Sequence, residues 1–210
     1  MPQETSKETA TNPSYPDWLS ATLASDALAA LSIEGRVVLA GTTQTIKPNC
    51  RTIGPAYVVL ASQDDNQVVT RLLANPPQPG SVLVIAGHSA SHTATVGGLL
   101  AQEMQLVGFV ALVTDGLVRD VQELRQLKMP IWCRGATTRA SAKRNPGLIG
   151  EPIVIGGALV QQGDLVIADD DGVVFWPLAD IEKLLTQAQV KLDSDNARLA
   201  KLQARAAAQQ

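Results

Sequence analysis

The sequence contains few aromatic and few charged residues. Aromatic side chains make up 3% of the 210 residues, too few for the stacking platforms that bind single-stranded nucleic acid. Charged residues make up 18%, the net charge is −3, and Lys and Arg form no contiguous block. We therefore expect no basic face that binds nucleic acid directly, although a nuclease as a protein partner stays open.

Cysteine is also scarce, and long apolar runs are missing. Cys50 and Cys133 are far apart and lack metal-ligand spacing, so we expect free thiols in a reducing cytosol. No run approaches the ~20 apolar residues that a membrane helix needs. The N-terminal stretch is polar and lacks the apolar core of a signal peptide. These absences predict a soluble, cytoplasmic protein without a membrane partner.

The hydrophobic residues present, 45% of the chain, are enough for the core of one domain. Residues 1–14 are rich in Thr, Ser and Glu and are predicted to form a disordered tail, and residues 15–210 a single domain. Apolar patterns and turn residues predict strands alternating with helices, an α/β arrangement. The first predicted elements are helices over Tyr15–Leu31, Gln67–Ala74 and Val96–Val107, and strands over Arg36–Ala40, Thr52–Leu60 and Ser81–Ala86. The proline inside the second of these strands suits a sheet edge or a bulge.

The last third of the chain changes character. Residues 136–150 form a long loop with basic residues (Arg139, Lys143 and Arg144), and a loop of this length is either functional or mobile. Four short strands with Gly and Asp turns then predict a β-meander, over Pro152–Ile155, Ala158–Val160, Leu165–Ala168 and Val173–Trp176. Residues 178–206 contain neither Gly nor Pro and predict one closing helix.

The stretch from Thr114 to Gly135 is the first candidate for a functional site. An apolar strand ends at an Asp-Gly turn, and the adjacent charges Arg119 and Asp120 follow before the next helical segment. Charged residues at strand ends beside glycine turns are where α/β proteins place chemistry. A surface ion pair with a helix N-cap explains the same residues, and the pattern alone leaves both interpretations open.

Other motifs are weaker. Gly97-Gly98 opens a helix, where backbone N–H groups bind anions, although two glycines also permit tight packing. The Asp169–Gly172 stretch lacks the alternating spacing of a calcium loop and predicts a hairpin turn. His88 and His92 lack a third ligand, so a zinc site is not expected. No glycine-rich nucleotide-binding motif occurs.

Six short segments in order carry a resemblance to a known family. They are Ser25–Leu28, Arg51–Ala56, Gly97–Leu100, Asp115–Asp120, Pro130–Gly135 and Gly163–Val174. The chain resembles the family that joins the regulator of ribonuclease E activity A (RraA) to the class II 4-hydroxy-4-methyl-2-oxoglutarate aldolases. The resemblance implies a compact swivelling β/β/α domain with a central sheet, and a homotrimer or hexamer with sites between subunits.

The resemblance also implies a mechanism. By analogy with the aldolases, Asp120 holds a divalent cation, Mg²⁺ or Mn²⁺, and Arg119 binds the substrate. The backbone from Gly97 to Leu100, which includes Gly98 and Leu99, cradles the substrate carboxylate. The implied reaction is retro-aldol cleavage or oxaloacetate decarboxylation, with a metal-stabilised enolate of a pyruvate-derived oxoacid.

Two departures from the aldolase pattern keep a second hypothesis open. Aldolase members often carry an acid where Gly98 stands, and many relatives have Asp at the place of Ala86. The general base is therefore unassigned. The candidates to assist Asp120 are Asp115 and an acidic residue of the C-terminal helix of a neighbouring subunit, such as Asp193. The alternatives are a non-enzymatic protein regulator of a ribonuclease E-type activity and a catalytically dead scaffold.

Overall fold

The computed structural model describes residues 15–209, and the predicted tail over residues 1–14 lies outside them. Five α-helices occur in this range: α1 (Ala21–Ala30), α2 (Gln67–Ala74), α3 (Gly98–Leu106), α4 (Val121–Gln126) and α5 (Ile181–Ala207). A 3₁₀ turn over Leu178–Asp180 leads into α5. No helix in this range is long and apolar enough to cross a membrane.

Thirteen strands occur in the same range. They are β1 (Gln44–Thr45), β2 (Thr52–Leu60), β3 (Val82–Ala86), β4 (Ala94–Val96), β5 (Ala111–Thr114), β6 (Leu117–Val118), β7 (Ile131–Cys133), β8 (Gly135–Ala136), β9 (Leu148–Ile149), β10 (Ile153–Ile155), β11 (Ala158–Val160), β12 (Leu165–Asp169) and β13 (Gly172–Trp176). The main sheet has the order β1-β7-β5-β3-β2-β12-β13, and β9 also pairs with β2. Strands β2, β3, β5 and β7 are parallel, and β12 and β13 extend the sheet antiparallel. This arrangement confirms the predicted α/β class with a central sheet and a closing helix.

The central strands are buried on both faces because each face has its own cover. Along β3, Val82, Val84 and Ala86 belong to one apolar cluster, and Leu83 and Ile85 belong to the other. The β10–β11 hairpin covers the first face, and helices α2, α3 and α4 cover the second. A strand covered on both faces needs a continuous apolar sequence. The apolar run over Ser81–Ala86 predicted a strand for this reason.

A third apolar cluster joins α1 and α5 to the antiparallel end of the sheet. Trp176 of β13 is fully buried there, and its indole N–H donates to the carbonyl of Ala24 at 3.1 Å. The helix α1 begins later than the prediction of Tyr15–Leu31, because Ser20 is its N-cap and accepts from the backbone N–H of Leu23. A serine hydroxyl in this position satisfies a donor that has no partner inside the helix.

One strand prediction in the first third is wrong, and the strand predicted over Thr52–Leu60 is present as β2 but not at the sheet edge that its proline suggested. The Arg36–Ala40 segment forms only an isolated bridge, Val37 with Val174, and the next strand is β1. The strand β2 lies inside the sheet, not at its edge, despite Pro55. Pro55 pairs with Leu165 of β12, and the parallel pairing with β3 begins one residue later at Ala56. Pro55 therefore lies just before the ladder between β2 and β3 begins, and not within that ladder.

The four strands predicted after residue 150 are present, as two separate hairpins. The β10–β11 hairpin forms its own two-stranded sheet, while β12–β13 joins the main sheet beside β2. The turn predicted between Asp169 and Gly172 joins β12 and β13. A continuous meander is not formed, because β11 pairs with β10 alone among the described strands.

The loop over residues 136–150 is held by hydrogen bonds. The Asp65 carboxylate accepts from the backbone N–H groups of Arg144 and Asn145 at 2.7 and 3.2 Å. The backbone of Ala142 bonds to Asp64 and Asn66 at 2.8 and 3.0 Å. These bonds fix the loop against the segment that precedes α2, at one side of the cleft described below.

Candidate functional site

Two short parallel strands bring the predicted site residues together. The strands β4 and β6 pair in parallel, with Val96 opposite Val118. The carboxyl ends of parallel strands lie at the same edge, so Gly97 after β4 and Arg119 after β6 become neighbours. The backbone N–H of Arg119 donates to the carbonyl of Val96 at 3.0 Å, which fixes this register.

The Asp120 carboxylate lies at the N-terminus of α3. Its Oδ2 accepts from the backbone N–H of Gly98 at 3.0 Å and lies 3.6 Å from Nε of Arg119. The side chains of Arg119 and Asp120 are 43% and 41% exposed. An ion pair with this exposure adds little to stability, whereas a carboxylate at a helix N-terminus is favoured by the helix dipole. The helix N-terminus therefore accounts for the position of the Asp120 carboxylate, and the exposed ion pair adds little to it.

Asp120 has a backbone conformation that is uncommon for aspartate. Its φ and ψ are 61° and 41°, in the left-handed region, and it forms no side-chain cap on α4, the helix that it precedes. The left-handed backbone accompanies a side chain turned to Gly98 on the neighbouring helix. Backbone strain of this kind costs of order 1 kcal/mol and clusters at functional sites.

Gly97 allows the backbone to approach the ion pair closely. A Cβ atom at this position would lie 2.7 Å from Oδ2 of Asp120 and 2.9 Å from Nε of Arg119. Both separations are too short for a carbon atom, so a side chain here would displace the charged groups. Glycine is therefore needed for the close approach itself, which is the tight packing that two glycines permit, and anion binding at Gly97-Gly98 stays a prediction.

Glu123 is the functional candidate that the sequence analysis missed. A Cβ atom on Gly98 would overlap Oε2 of Glu123 and lie 3.0 Å from its Cδ. The carboxylate of Glu123 thus fills the space into which an acidic residue at position 98 would project. The sequence signal that could have identified Glu123 is a second carboxylate three residues after Asp120, in the first turn of α4. Residues three apart lie on the same side of a helix.

A cleft of about 350 Å³ lies beside these groups. It is lined by Gly97, Leu99, Leu100 and Arg119, four of the five predicted substrate-binding residues, and by Asp120, whereas Gly98 and Glu123 are not among its lining residues. The remaining lining residues come from α2 and its N-cap, from α3, from β4 and from the 136–150 loop: Asn66, Thr70, Glu103, Ala94, Ala140, Ser141 and Lys143. The cleft is therefore built by the β4 and β6 strand ends on one side and the held loop on the other.

Asn66 contributes an unsatisfied acceptor to this cleft. Its Nδ2 donates to the carbonyl of Thr95 at 2.9 Å, while its buried Oδ1 has no hydrogen-bond partner among residues 15–209. A buried amide oxygen without a partner costs about 1–3 kcal/mol, so such atoms call for an explanation.

His88 contacts Asp65 and Thr95, the residues on either side of Asn66 in this hydrogen-bond network. Its Nε2 lies 3.0 Å from the carbonyl oxygen of Asp65, and its Nδ1 lies 2.7 Å from Oγ1 of Thr95. A carbonyl only accepts, so Nε2 carries the proton and Nδ1 accepts from the threonine. His88 is fully buried, so it positions the residues beside Asn66 and does not itself reach the cleft.

Several earlier candidates lie away from the cleft. Asp115 is buried, and its carboxylate accepts from the backbone N–H groups of His88 and Gly87 at 2.9 and 3.2 Å. Burial raises the pKa of Asp115 above its ordinary value. Asp193 is exposed on α5, where it accepts from Gln189. Of the basic residues in the 136–150 loop, Lys143 lines the cleft.

The donor set fits a hard divalent cation. Among residues 15–209 no three His, Cys, Asp or Glu side chains form a metal-binding group. The two carboxylates of Asp120 and Glu123 both approach Gly98, and the cleft beside them is open. Mg²⁺ is usually held by one or two carboxylates with water and substrate completing its shell, and both residues would serve.

Fold and cleft together define an α/β protein with carboxylates, an arginine and a helix N-terminus at the ends of parallel strands. The family model described as "RraA-like: Aldolase/RraA" matches residues 21–175, well over half of the chain. The chain therefore belongs to the RraA-like family.

Relatives and solved structures agree with this assignment. A protein of Halalkalibacterium halodurans named "Putative 4-hydroxy-4-methyl-2-oxoglutarate aldolase" is 36% identical over 163 residues, which cover 76% of this chain and 77% of that one. The structure of Streptomyces coelicolor RraAS2, titled an unusual member of the RNase ES inhibitor RraA family, aligns with a TM-score of 0.76 and 27% identity. That alignment covers 87% of this chain and 93% of that one. The RNA-processing inhibitor RraA from Thermus thermophilis aligns with a TM-score of 0.64 and 29% identity, over 71% and 90%.

Proposed function

We propose that this protein is a class II lyase that cleaves pyruvate-derived oxoacids with the help of a divalent cation. The observation that carries the proposal is the convergence of Asp120, Glu123 and Arg119 on the Gly97-Gly98 turn. Family membership and the name of the 36% identical relative support an aldolase-type reaction. Retro-aldol cleavage of 4-hydroxy-4-methyl-2-oxoglutarate-type substrates and oxaloacetate decarboxylation require the same stabilised enolate.

The cation, Mg²⁺ or Mn²⁺, would be held by Asp120 and Glu123. Bound there, it would supply Lewis-acid stabilisation of negative charge on the substrate's 2-keto oxygen. Glu123 answers the doubt that glycine at position 98 raised, because it brings a carboxylate to the same space from the neighbouring helix. The Glu123 carboxylate, beside glycine at position 98, would thus take the place of the acidic residue that aldolase members often carry at position 98.

The chain's own residues would bind and orient the substrate. The first backbone N–H groups of a helix have no intrahelical acceptor, and those of Leu99 and Leu100 at the start of α3 would bind the substrate carboxylate. Arg119 at the cleft wall would place a fixed positive charge beside the enolate oxygen. The Asp120 carboxylate, 3.6 Å from Nε, would help to keep the guanidinium beside the cleft.

The far side of the cleft suits the second end of a dicarboxylate. Lys143 lines this side and would bind a second carboxylate. The unpartnered Oδ1 of Asn66 would accept from a substrate hydroxyl or from a water bound to the cation. These two contacts would distinguish a hydroxylated dicarboxylate from pyruvate alone.

We also propose that copies of this chain assemble as a homotrimer or hexamer with the clefts near subunit boundaries. Leu99 lines the cleft and is 76% exposed, and Leu106 at the other end of α3 is 83% exposed. Apolar side chains this exposed beside a binding cleft are typical of surfaces that a partner covers.

The test is pyruvate release from oxaloacetate and from 4-hydroxy-4-methyl-2-oxoglutarate, with Mg²⁺ and with EDTA. We expect activity that EDTA removes and Mg²⁺ restores. Asp120→Asn keeps an oxygen that can accept from Gly98 but removes the charge, so it should fold normally and lose activity. Asp171→Asn, at an exposed position in the turn between β12 and β13, is the matched control and should keep wild-type turnover. Unchanged turnover in Asp120→Asn contradicts the mechanism.

A second candidate is a non-enzymatic regulator of a ribonuclease E-type enzyme. Two aligned structures carry RNA-processing or RNase inhibitor titles, at 27% and 29% identity. This function predicts no pyruvate release from either substrate and a dose-dependent decrease in RNA cleavage by purified ribonuclease E. Asp120→Asn would leave that inhibition unchanged, since no metal chemistry is involved.

A further inference from the structure

Glu103 is an acidic residue of the cleft to which the proposed function gives no role. It lines the cleft from α3, together with Leu99 and Leu100, and it is exposed. Its side chain has no hydrogen-bond or ion-pair partner among residues 15–209, where its backbone carbonyl accepts from Val107. A carboxylate that the chain leaves unengaged at the wall of a cleft is free to interact with a bound molecule.

The helix places this carboxylate beside the proposed substrate position. Glu103 follows Leu99 and Leu100 by four and three residues, so the three side chains lie on one face of α3. The axial rise over four residues is about 6 Å, and helical side chains lean back towards the N-terminus. The carboxylate is therefore carried towards the backbone N–H groups that would bind the C1 carboxylate of the substrate. From there it can reach the C4 atom, which lies three carbon–carbon bonds from C1.

The other ionisable groups that line the cleft are less suited to proton transfer. Asp120 accepts from the backbone at the start of α3 and would hold the cation. The guanidinium of Arg119 does not give up its proton in proteins, and the ammonium of Lys143 carries donors without an acceptor. Glu103 is the lining carboxylate that neither the cation nor a protein partner engages.

Retro-aldol cleavage of a 4-hydroxy-2-oxoacid requires a group of this kind. The C4 hydroxyl gives up its proton, the C4–O bond becomes a carbonyl, and the bond between C3 and C4 breaks. The electron pair of that bond moves into the enolate of C3, C2 and the keto oxygen. Protonation of C3 then completes pyruvate. One proton leaves oxygen and one arrives at carbon, so a single carboxylate beside both atoms balances the reaction.

We infer that Glu103 is the general base that removes the C4 hydroxyl proton and then returns it to C3 of the enolate. The inference rests on the proposed lyase function and assigns the proton transfer that this function leaves open. Oxaloacetate decarboxylation has a different requirement. Carbon dioxide leaves without any hydroxyl being deprotonated, and water can protonate the enolate. The two reactions therefore separate the role of Glu103 from that of the cation.

The variant Glu103→Gln tests the inference when both reactions are measured. The change keeps the size of the side chain and removes its basicity, and Tm should stay unchanged because the carboxylate has no protein partner. We expect kcat for cleavage of 4-hydroxy-4-methyl-2-oxoglutarate to fall by about 100-fold or more, the usual contribution of a general base. Its KM and the decarboxylation of oxaloacetate should stay close to the wild-type values. Glu34→Gln, at an exposed position outside the cleft, is the matched control and should leave both reactions unchanged.

Three results for Glu103→Gln overturn the inference. Cleavage at the wild-type rate means that Glu103 is not the base. Equal losses in the two reactions mean that it acts through the cation or the enolate. A higher KM with wild-type kcat means that it only binds substrate. Mn²⁺ affinity in calorimetry is the readout without turnover, and it should equal that of the wild type.

Failure of the proposed function gives a different result. The wild-type protein would then release pyruvate from neither substrate, and the inference about Glu103 would fall with that function. Wild-type decarboxylation without any cleavage of the hydroxylated substrate would overturn the base assignment alone, because the enolate chemistry would still be present.

Discussion

Replacing Gly98 with alanine tests directly whether Glu123 belongs to the site. The new Cβ would overlap Oε2 of Glu123 and lie 3.0 Å from its Cδ, so the carboxylate would have to turn away. Gly98 is not among the residues with positive φ, so the alanine backbone is unstrained and the effect comes from Glu123 alone. Glu123 is exposed, and the folding free energy should therefore change by no more than about 0.5 kcal/mol.

The expected effect on the cation is much larger. Loss of a group that supports a metal site typically costs 10- to 100-fold in affinity, about 1.4–2.7 kcal/mol. We expect Gly98→Ala and Glu123→Gln each to weaken Mn²⁺ binding in calorimetry by at least this factor and to lower pyruvate release at limiting Mg²⁺. Both changes act on one carboxylate, so the double variant should be no worse than Glu123→Gln alone.

Two outcomes would refute this reasoning. Wild-type Mn²⁺ affinity in both single variants would remove Glu123 from the metal site. Fully additive losses in the double variant would mean that Gly98 and Glu123 act separately. A more constructive variant is Gly98→Asp with Glu123→Ala, which returns one acid to the same space and should recover part of the activity that Glu123→Ala loses.

Three further predictions follow from the structure. Asn66→Ala should raise KM for a hydroxylated dicarboxylate about tenfold and also lower Tm, because it removes both the unpartnered Oδ1 and the hydrogen bond from Nδ2 to the carbonyl of Thr95; an unchanged KM would remove Asn66 from the site. Although burial opposes its charge, three backbone N–H groups lower the pKa of Asp65. Asp65→Asn should therefore destabilise the protein by about 1–3 kcal/mol at pH 7 in urea unfolding. The difference in unfolding free energy between wild type and variant should shrink as the pH falls below about 4. A difference that stays constant down to pH 2 would contradict this. Leu83→Ala, at a fully buried position, should cost about 2–5 kcal/mol in the same assay, and a loss under 1 kcal/mol would contradict the packing described.

Local sequence predicted those elements whose environment is simple. Helix α2 has the predicted bounds, Gln67–Ala74, and β3 falls within the predicted SVLVIA run. An apolar run buried on both faces and an amphipathic stretch between loops each carry their structure in a short window. Arg119 and Asp120 were recognisable for a similar reason, since a strand, a glycine turn and two charges are adjacent in the chain.

Other features depended on residues that are distant in sequence. Pro55 suggested an edge, but β12, more than a hundred residues later, pairs with β2 and places it inside the sheet. The four late strands have strand-like sequences, yet no local pattern states that one hairpin covers a face and the other extends the sheet. Strand pairing is a long-range choice, fixed by which apolar faces can be buried together.

The sequence by itself therefore determined the α/β class, the closing helix and the Arg119-Asp120 pair, because each follows from composition, period or adjacency. Tertiary structure alone brought Glu123 to the candidate site. Glycine at position 98 looked like a missing acid until α4 was seen to place the Glu123 carboxylate in the same space. The physical reason is that a residue's role depends on what occupies the volume around it, and that volume is filled by neighbours in space and not in sequence.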